Sequence, residues 1–226
     1  MDQHEDDGDF HRGNNEDSKL LVQRGYDTIA QTYLKWTTGK PTARLIYLER
    51  LLSRMPEVAS ARVLELGCGA GVPGTRLLAQ RCGQITANDI SQAQVDLARV
   101  NVPDRNIDFI AGDMTMLALR PAAFEAVVAF YSIIHLPRNE HRSMFAQICN
   151  WLSPGGQLLC NLGVGDNPGS TTENWLGARM YWSGFDTETN LDILREVGFD
   201  IVESEVLYDD EDGRLVPFLW ILAQKR

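Results

Sequence analysis

The stretch Val63-Leu64-Glu65-Leu66-Gly67-Cys68-Gly69-Ala70-Gly71 reads as a short buried strand that turns sharply through three alternate glycines. Residues 72–79 follow with helical character, giving strand, glycine turn and helix in sequence. That order lets a nucleotide-like ligand lie against bare backbone at the end of a parallel strand. Gly69, Gly71 and Gly74 have the G-x-G-x-x-G spacing, and Asp89 stands about 20 residues on, at the end of the next strand. A carboxylate there can accept both hydroxyls of an adenosine ribose. No Gly-Lys-Ser/Thr follows the glycines, which disfavours a triphosphate-binding loop. Glu65 precedes the first glycine by two residues, in an apolar strand, where a carboxylate is expensive unless it meets a cation or donors. It would repel a pyrophosphate and welcome an ammonium. The contrast favours an adenosine that carries an amino acid over a nicotinamide dinucleotide. An NAD(P)-dependent oxidoreductase and a cofactor-binding module without catalysis remain the alternatives.

Working outward, strand signals recur over residues 62–66, 84–88, 107–111, 126–130 and 157–162, with helical segments between them at 72–79, 91–100 (capped by Ser91) and 138–152. Alternating β and α elements imply a mostly parallel sheet with helices on both faces. A helix over 187–197 closes on Gly198, and two β runs, 199–207 and 215–224, are joined too closely for a crossover helix and must pair antiparallel. Upstream, residues 20–33 and 42–52 carry the helical period, separated by Gly39-Lys40-Pro41. Residues 163–184 lack regular signals and are expected to cross the mouth of the site as a loop bearing Trp175, Met180, Tyr181 and Trp182.

Composition narrows the partners. The chain has 226 residues and a formal net charge of −10, which argues against an electrostatic grip on nucleic acid or anionic membrane. Much of the acidity lies in the first residues, so 1–18 is expected to be an acidic flexible tail, without the charge pattern of a signal peptide. Residues 19–226 are expected to form one domain, with 19–60 a helical lid and 61–226 the core. No apolar run approaches the ~20 residues of a membrane span. The four scattered cysteines lack metal-ligand spacing and read as free thiols, so no metal is expected and the default compartment is the cytoplasm. His141 and the acidic run 209–212 read as solvated surface, and His4 and His11 lie in the tail.

Five segments in register resemble the class I S-adenosylmethionine-dependent methyltransferases, especially a small-molecule branch akin to quinone-biosynthesis enzymes. They are residues 63–71, Ala87-Asn88-Asp89-Ile90-Ser91, Ala111-Gly112-Asp113-Met114, residues 127–137, and 152–159 with its Pro-Gly-Gly turn. The resemblance implies a Rossmann-like, mostly parallel seven-stranded sheet with an antiparallel last strand and a helical amino-terminal lid. It implies S-adenosyl-L-methionine as cofactor, S-adenosyl-L-homocysteine as product, and a small molecule as acceptor through an O, N, S or C nucleophile. Glu65, Gly67, Cys68, Gly69 and Phe130 would then surround the methionine part. Asp89 would hold the ribose with Ile90 against the adenine, and Asp113 would accept from the adenine amino group while Met114 packs on the ring. Tyr26 and Tyr33, seven apart on one helix face, resemble the lid tyrosines that close over the cofactor. Trp36, Trp175, Met180, Tyr181 and Trp182 would line the acceptor space, and His135, after the fourth strand, would be the general base. The acceptor's identity and the oligomeric state stay open.

Overall fold

A computed structural model describes residues 17–38, 40 and 42–226, so most of the expected acidic tail, with His4 and His11, lies outside the described residues. The central sheet runs β1 (Arg62–Leu66), β2 (Gln84–Asp89), β3 (Ile107–Ala111), β4 (Phe124–Ala129), β5 (Leu152–Gly163), β8 (Phe199–Glu211) and β9 (Arg214–Lys225). Their spatial order is β3-β2-β1-β4-β5-β9-β8. The first five strands pair parallel, and β9 inserts antiparallel between β5 and β8. The glycine turn therefore leaves the carboxyl end of β1 where strand order reverses between β2 and β4, the crevice in which open α/β sheets bind ligands.

Helices α3 (Gly74–Arg81), α4 (Gln92–Asn101), α5 (His141–Trp151) and α6 (Thr187–Glu196) connect the strands. The inner strands are apolar on both faces: Val63, Leu64, Leu66, Val127, Val128, Leu158 and Leu159 are buried. Such continuous burial is what helices on both faces of a parallel sheet require. Ser91 caps α4, its side chain accepting from the Gln94 N–H. All four cysteines are buried free thiols.

The expected loop over 163–184 is a hairpin of β6 (Asn167–Trp175) and β7 (Ala178–Gly184), a separate antiparallel sheet. Residues 170–174 of β6 are exposed, so apolar alternation, the usual mark of a strand, is missing there. Helix α1 (Ser18–Thr38) packs on this hairpin through a small core of Val22, Ile29 and Met180. Asp27 fastens α1 to the first turn of α4, accepting from Ser91 Oγ at 2.6 Å and Ala93 N–H at 3.1 Å. A carboxylate at a helix amino terminus is favoured by the exposed N–H groups there. Helix α2 (Arg44–Ser53) follows and lays Tyr47, Leu48, Leu51 and Leu52 into the main core.

Two surface expectations are corrected. His141 is buried, with Nε2 against the carbonyl of Leu136 and the hydroxyl of Ser183, because the first turn of α5 faces the loop after β4. The acidic run at the β8–β9 turn is not simply solvated. Asp212 accepts from Trp36 Nε1 and Lys40 Nζ, both at 2.9 Å, and Asp209 accepts from the Tyr131 hydroxyl at 2.6 Å. Strands β8 and β9 extend well past the sheet, and this carries their tip onto the end of α1.

Candidate active site

Gly67, Gly69 and Gly71 all lie in the left-handed region, at φ of 77°, 53° and 78°. Only glycine adopts that conformation without strain. A side chain at Gly67 would also collide with Ser132. Gly74, by contrast, has ordinary φ, and a Cβ there would stand 2.6 Å from Glu65 Oε1. The conformational motif is thus 67/69/71, and Gly74 is a packing glycine that makes room for Glu65.

The turn floors a cavity of about 940 Å³, counting the solvent at its mouth. It is lined by Glu65, Gly67, Cys68, Gly69, Asp89, Ile90, Asp113, Met114 and Phe130, together with Tyr26, Tyr33 and His135. Every cofactor residue named from the sequence therefore borders one space. Asp89 Oδ2 accepts from the Gly69 N–H at 2.8 Å and Oδ1 from the Ser91 N–H at 2.9 Å, which fixes the carboxylate and leaves lone pairs toward the cavity. Burial raises its pKa to about 6, against the pull of those two N–H groups. Glu65 is buried, with Oε2 accepting from Thr75 Oγ1 at 2.6 Å; burial raises its pKa to about 7 although Thr75 and Arg44 oppose the shift.

Asp113 is already engaged. It caps the short turn after β3 through the N–H and hydroxyl of Thr115 and pairs with Lys19 of α1 at 2.7 Å. Lys19 also reaches Glu140 at 2.9 Å. The carboxylate expected to read the adenine amino group thus also ties α1 to the turn after β3.

A wider cleft adjoins this cavity, about 2340 Å³ with its open solvent, bordered by α1, the β6–β7 hairpin and the β8–β9 tip. Trp36, Trp175 and Trp182 line it, as the sequence suggests. Met180 and Tyr181 do not. Met180 is fully buried because α1 covers it with Val22 and Ile29, while Trp182, two residues on along the same face of β7, reaches the cleft. Tyr181 contributes its backbone carbonyl, which accepts from His135 Nδ1 at 2.7 Å, while its ring lies over Gly169.

Six residues border both spaces: Tyr26, Tyr33, Thr37, Arg44, Tyr131 and His135. The carbonyl of Tyr181 can only accept, so His135 carries its proton on Nδ1 and its Nε2 accepts the Tyr26 hydroxyl at 2.9 Å. Burial pushes the His135 pKa down to about 4, so the ring is neutral at physiological pH. Tyr131 sits at φ 51°, a strained value for a non-glycine, held by its N–H to Asn161 Oδ1 and its hydroxyl to Asp209, each at 2.6 Å. The Arg44 guanidinium lies 4.5 Å from the centre of the Tyr131 ring.

Lys19, Arg44, Gln94, Tyr131 and Ser132 were not singled out by the sequence. None has a ligand-binding spacing signature of its own, and each reaches the site only through tertiary placement.

The donor set fits S-adenosylmethionine. Gln94 and Ser132 border the cavity with buried polar atoms that have no partner among the described residues. Gly69 presents a bare face, since the only neighbour a Cβ would meet is Gln94 Oε1 at 3.9 Å. A carboxylate at Glu65 and a cation at Arg44 suit the two charged ends of an amino acid.

Fold and site together define a Rossmann-like protein in which a glycine-floored cavity adjoins a wider aromatic cleft. Residues 63–156 match a family model described as a methyltransferase domain. The 27-O-demethylrifamycin SV methyltransferase of Amycolatopsis mediterranei is 33% identical over 127 residues, covering 54% of this chain and 45% of that protein. The chain spans about half the length of such relatives. Among solved structures, magnesium protoporphyrin IX methyltransferase from Synechocystis PCC 6803 superposes with a TM-score of 0.69 at 15% identity, covering 93% of this chain and 98% of that one. The [4+2]-cyclase SpnF also gives 0.69, at 19% identity over 92% of this chain and 96% of that one. These likenesses establish the fold and do not single out the quinone-biosynthesis branch. No helix among the described residues is long and apolar enough to cross a membrane.

Proposed function

We propose that this chain methylates an oxygen nucleophile of a bulky small molecule, with S-adenosylmethionine as donor. The observation that carries the reading is the pair of adjoining spaces: one lined by an adenosine-type donor set, the other broad and aromatic, with six residues common to both. When bound, the cofactor supplies an electrophilic methyl on a sulfonium, open to in-line displacement. The protein's part is chiefly alignment and exclusion of water.

The residues that border the two spaces support the following roles. Asp89 takes ribose hydroxyls, and Ile90 and Met114 flank the base. Glu65 faces the ammonium, and Arg44, acting electrostatically on Glu65, faces the carboxylate. Trp36, Trp175 and Trp182 offer flat apolar walls to an acceptor. The size of the cleft suits a large one. The oxygen preference draws on relatives named as O-methyltransferases. Residues 19–60 act as the lid of a single domain.

His135 is the base, acting through Tyr26. As the acceptor oxygen takes the methyl, its proton passes to the Tyr26 oxygen, and the Tyr26 proton passes to His135 Nε2. A ring with pKa about 4 is a weak base, so it serves only as positive charge develops on the acceptor. A methyl-labelled donor supplied with a panel of hydroxylated macrocyclic and polyaromatic acceptors tests the reading. Transfer to a hydroxyl is the expected result. Tight NAD(H) binding without response to S-adenosylhomocysteine would sink it in favour of an oxidoreductase. Cofactor binding without transfer across the panel would favour a non-methylating module.

A further inference from the structure

We propose that Gln94 binds the nucleoside part of the methyl donor through its side-chain amide. In this arrangement Oε1 accepts one ribose hydroxyl, and Nε2 donates to the oxygen of the hydroxyl that Asp89 holds. The inference rests on the methyl-donor reading and adds a residue to it.

Gln94 is completely buried, and neither its amide oxygen nor its amide nitrogen has a partner among the described residues. Three other buried amides carry one orphaned atom each: Asn88, Asn161 and Asn190. In every one of these the other amide atom is bonded, Asn88 to the carbonyls of Ile110 and Gly112, Asn161 to the Tyr131 N–H and Asn190 to the carbonyls of Gly163 and Phe185. None of the three borders the cofactor cavity, and Gln94 does.

Local sequence gives Gln94 a different employment. Ser91-Gln92-Ala93-Gln94 has the spacing of a capping box, in which the glutamine reaches back to the N–H of the capping serine. That N–H is already taken by Asp89 Oδ1 at 2.9 Å. The glutamine is therefore displaced from the cap, and its Oε1 stands 3.9 Å from where a Cβ on Gly69 would lie. The Gly69 N–H in turn binds Asp89 Oδ2. Carboxylate, bare glycine and free amide thus meet at one spot.

The chemistry is complementary. An ionised carboxylate only accepts, whereas vicinal hydroxyls both donate and accept. A glutamine supplies the donor that Asp89 lacks and a further acceptor. Unpartnered buried amide atoms weaken the ligand-free protein, so an apolar residue of the same length would suit that state better.

Gln94→Met separates the outcomes, with calorimetric titration of S-adenosylhomocysteine and 5′-methylthioadenosine alongside thermal unfolding of the ligand-free protein. The expected result is a higher Tm and about tenfold weaker binding of both ligands, by the same factor, because the amino-acid arm is not involved. Unchanged affinity overturns the proposal. An unchanged affinity with a lower Tm also identifies a helix cap. If the methionine variant fails to fold, Gln94→Glu retains an acceptor and the capping geometry but lacks the amide N–H donors; weaker binding of both nucleosides supports the role, and equal binding overturns it. Should the unmodified protein bind neither ligand, the methyl-donor reading falls and takes this role with it. Equal binding by protein and variant removes Gln94 alone.

Discussion

Glu65→Gln should move stability and ligand affinity in opposite directions, each with its own pH dependence. Glu65 lies in the middle of the sheet, in register with Ala87 and Val128 on the neighbouring strands, with Thr75 as its hydrogen-bond donor. Burial lifts its pKa from 4.5 to about 7. The folded protein therefore holds this proton more tightly than the unfolded chain does. Stability from the group is complete below pH 4.5 and is lost as pH rises through about 7. A shift of that size corresponds to about 3 kcal/mol at 1.36 kcal/mol per pH unit. Glutamine has no such titration and retains an acceptor for Thr75. In urea unfolding of the ligand-free protein, the variant should gain about 3 kcal/mol on the unmodified protein between pH 4.5 and 8. Affinity for S-adenosylhomocysteine at pH 8 should instead fall, because the ammonium loses its anion. Parallel stability curves across that range would refute the burial argument. Undiminished affinity at pH 8 would refute the ammonium role.

Other outcomes follow from the same geometry. Asp89→Ala should weaken S-adenosylhomocysteine binding by about 1–3 kcal/mol, the scale of charge-assisted hydrogen bonds, and unchanged calorimetric affinity would remove the ribose role. Lys19→Met breaks the latch to Asp113 and Glu140; because the pair is partly exposed, stability should fall by under ~1 kcal/mol. Proteolysis within α1 should nevertheless accelerate, and an unchanged cleavage rate would speak against a latch. With His135 held neutral down to about pH 4, methyl transfer should show no titration near pH 6.5 that disappears in His135→Gln. Tyr26→Phe should lower kcat for alcohol acceptors and spare those already ionised, and equal losses for both would exclude the relay.

The β1 segment, the three glycines, Asp89 and the alternation of strands and helices were legible because each depends on neighbours within a few residues. A parallel strand buried on both faces is a continuous apolar run, a glycine turn is a local backbone demand, and Ser91 is a local cap. The sequence by itself thus determined the sheet, the place of the glycine-floored cavity and its floor. Even there, tertiary packing reassigned Gly74 from the turn to the space beside Glu65.

Contacts between residues far apart in the chain decided the rest. The β6–β7 hairpin carries exposed polar residues where strands are usually recognised, so it read as a loop, and the packing of α1 over it buries Met180 while Trp175 and Trp182 meet the cleft. Asp209 and Asp212 looked like solvated charge because their partners, Tyr131, Trp36 and Lys40, lie 78 or more positions away. The availability of His135 as a base depends on a tyrosine 109 residues upstream and a carbonyl 46 downstream. Periodicity records which face of an element is buried, but not what is buried against it. For that reason the lining of the glycine-floored cavity could be read from the chain, and the walls of the wider cleft emerged only when three distant segments closed around it.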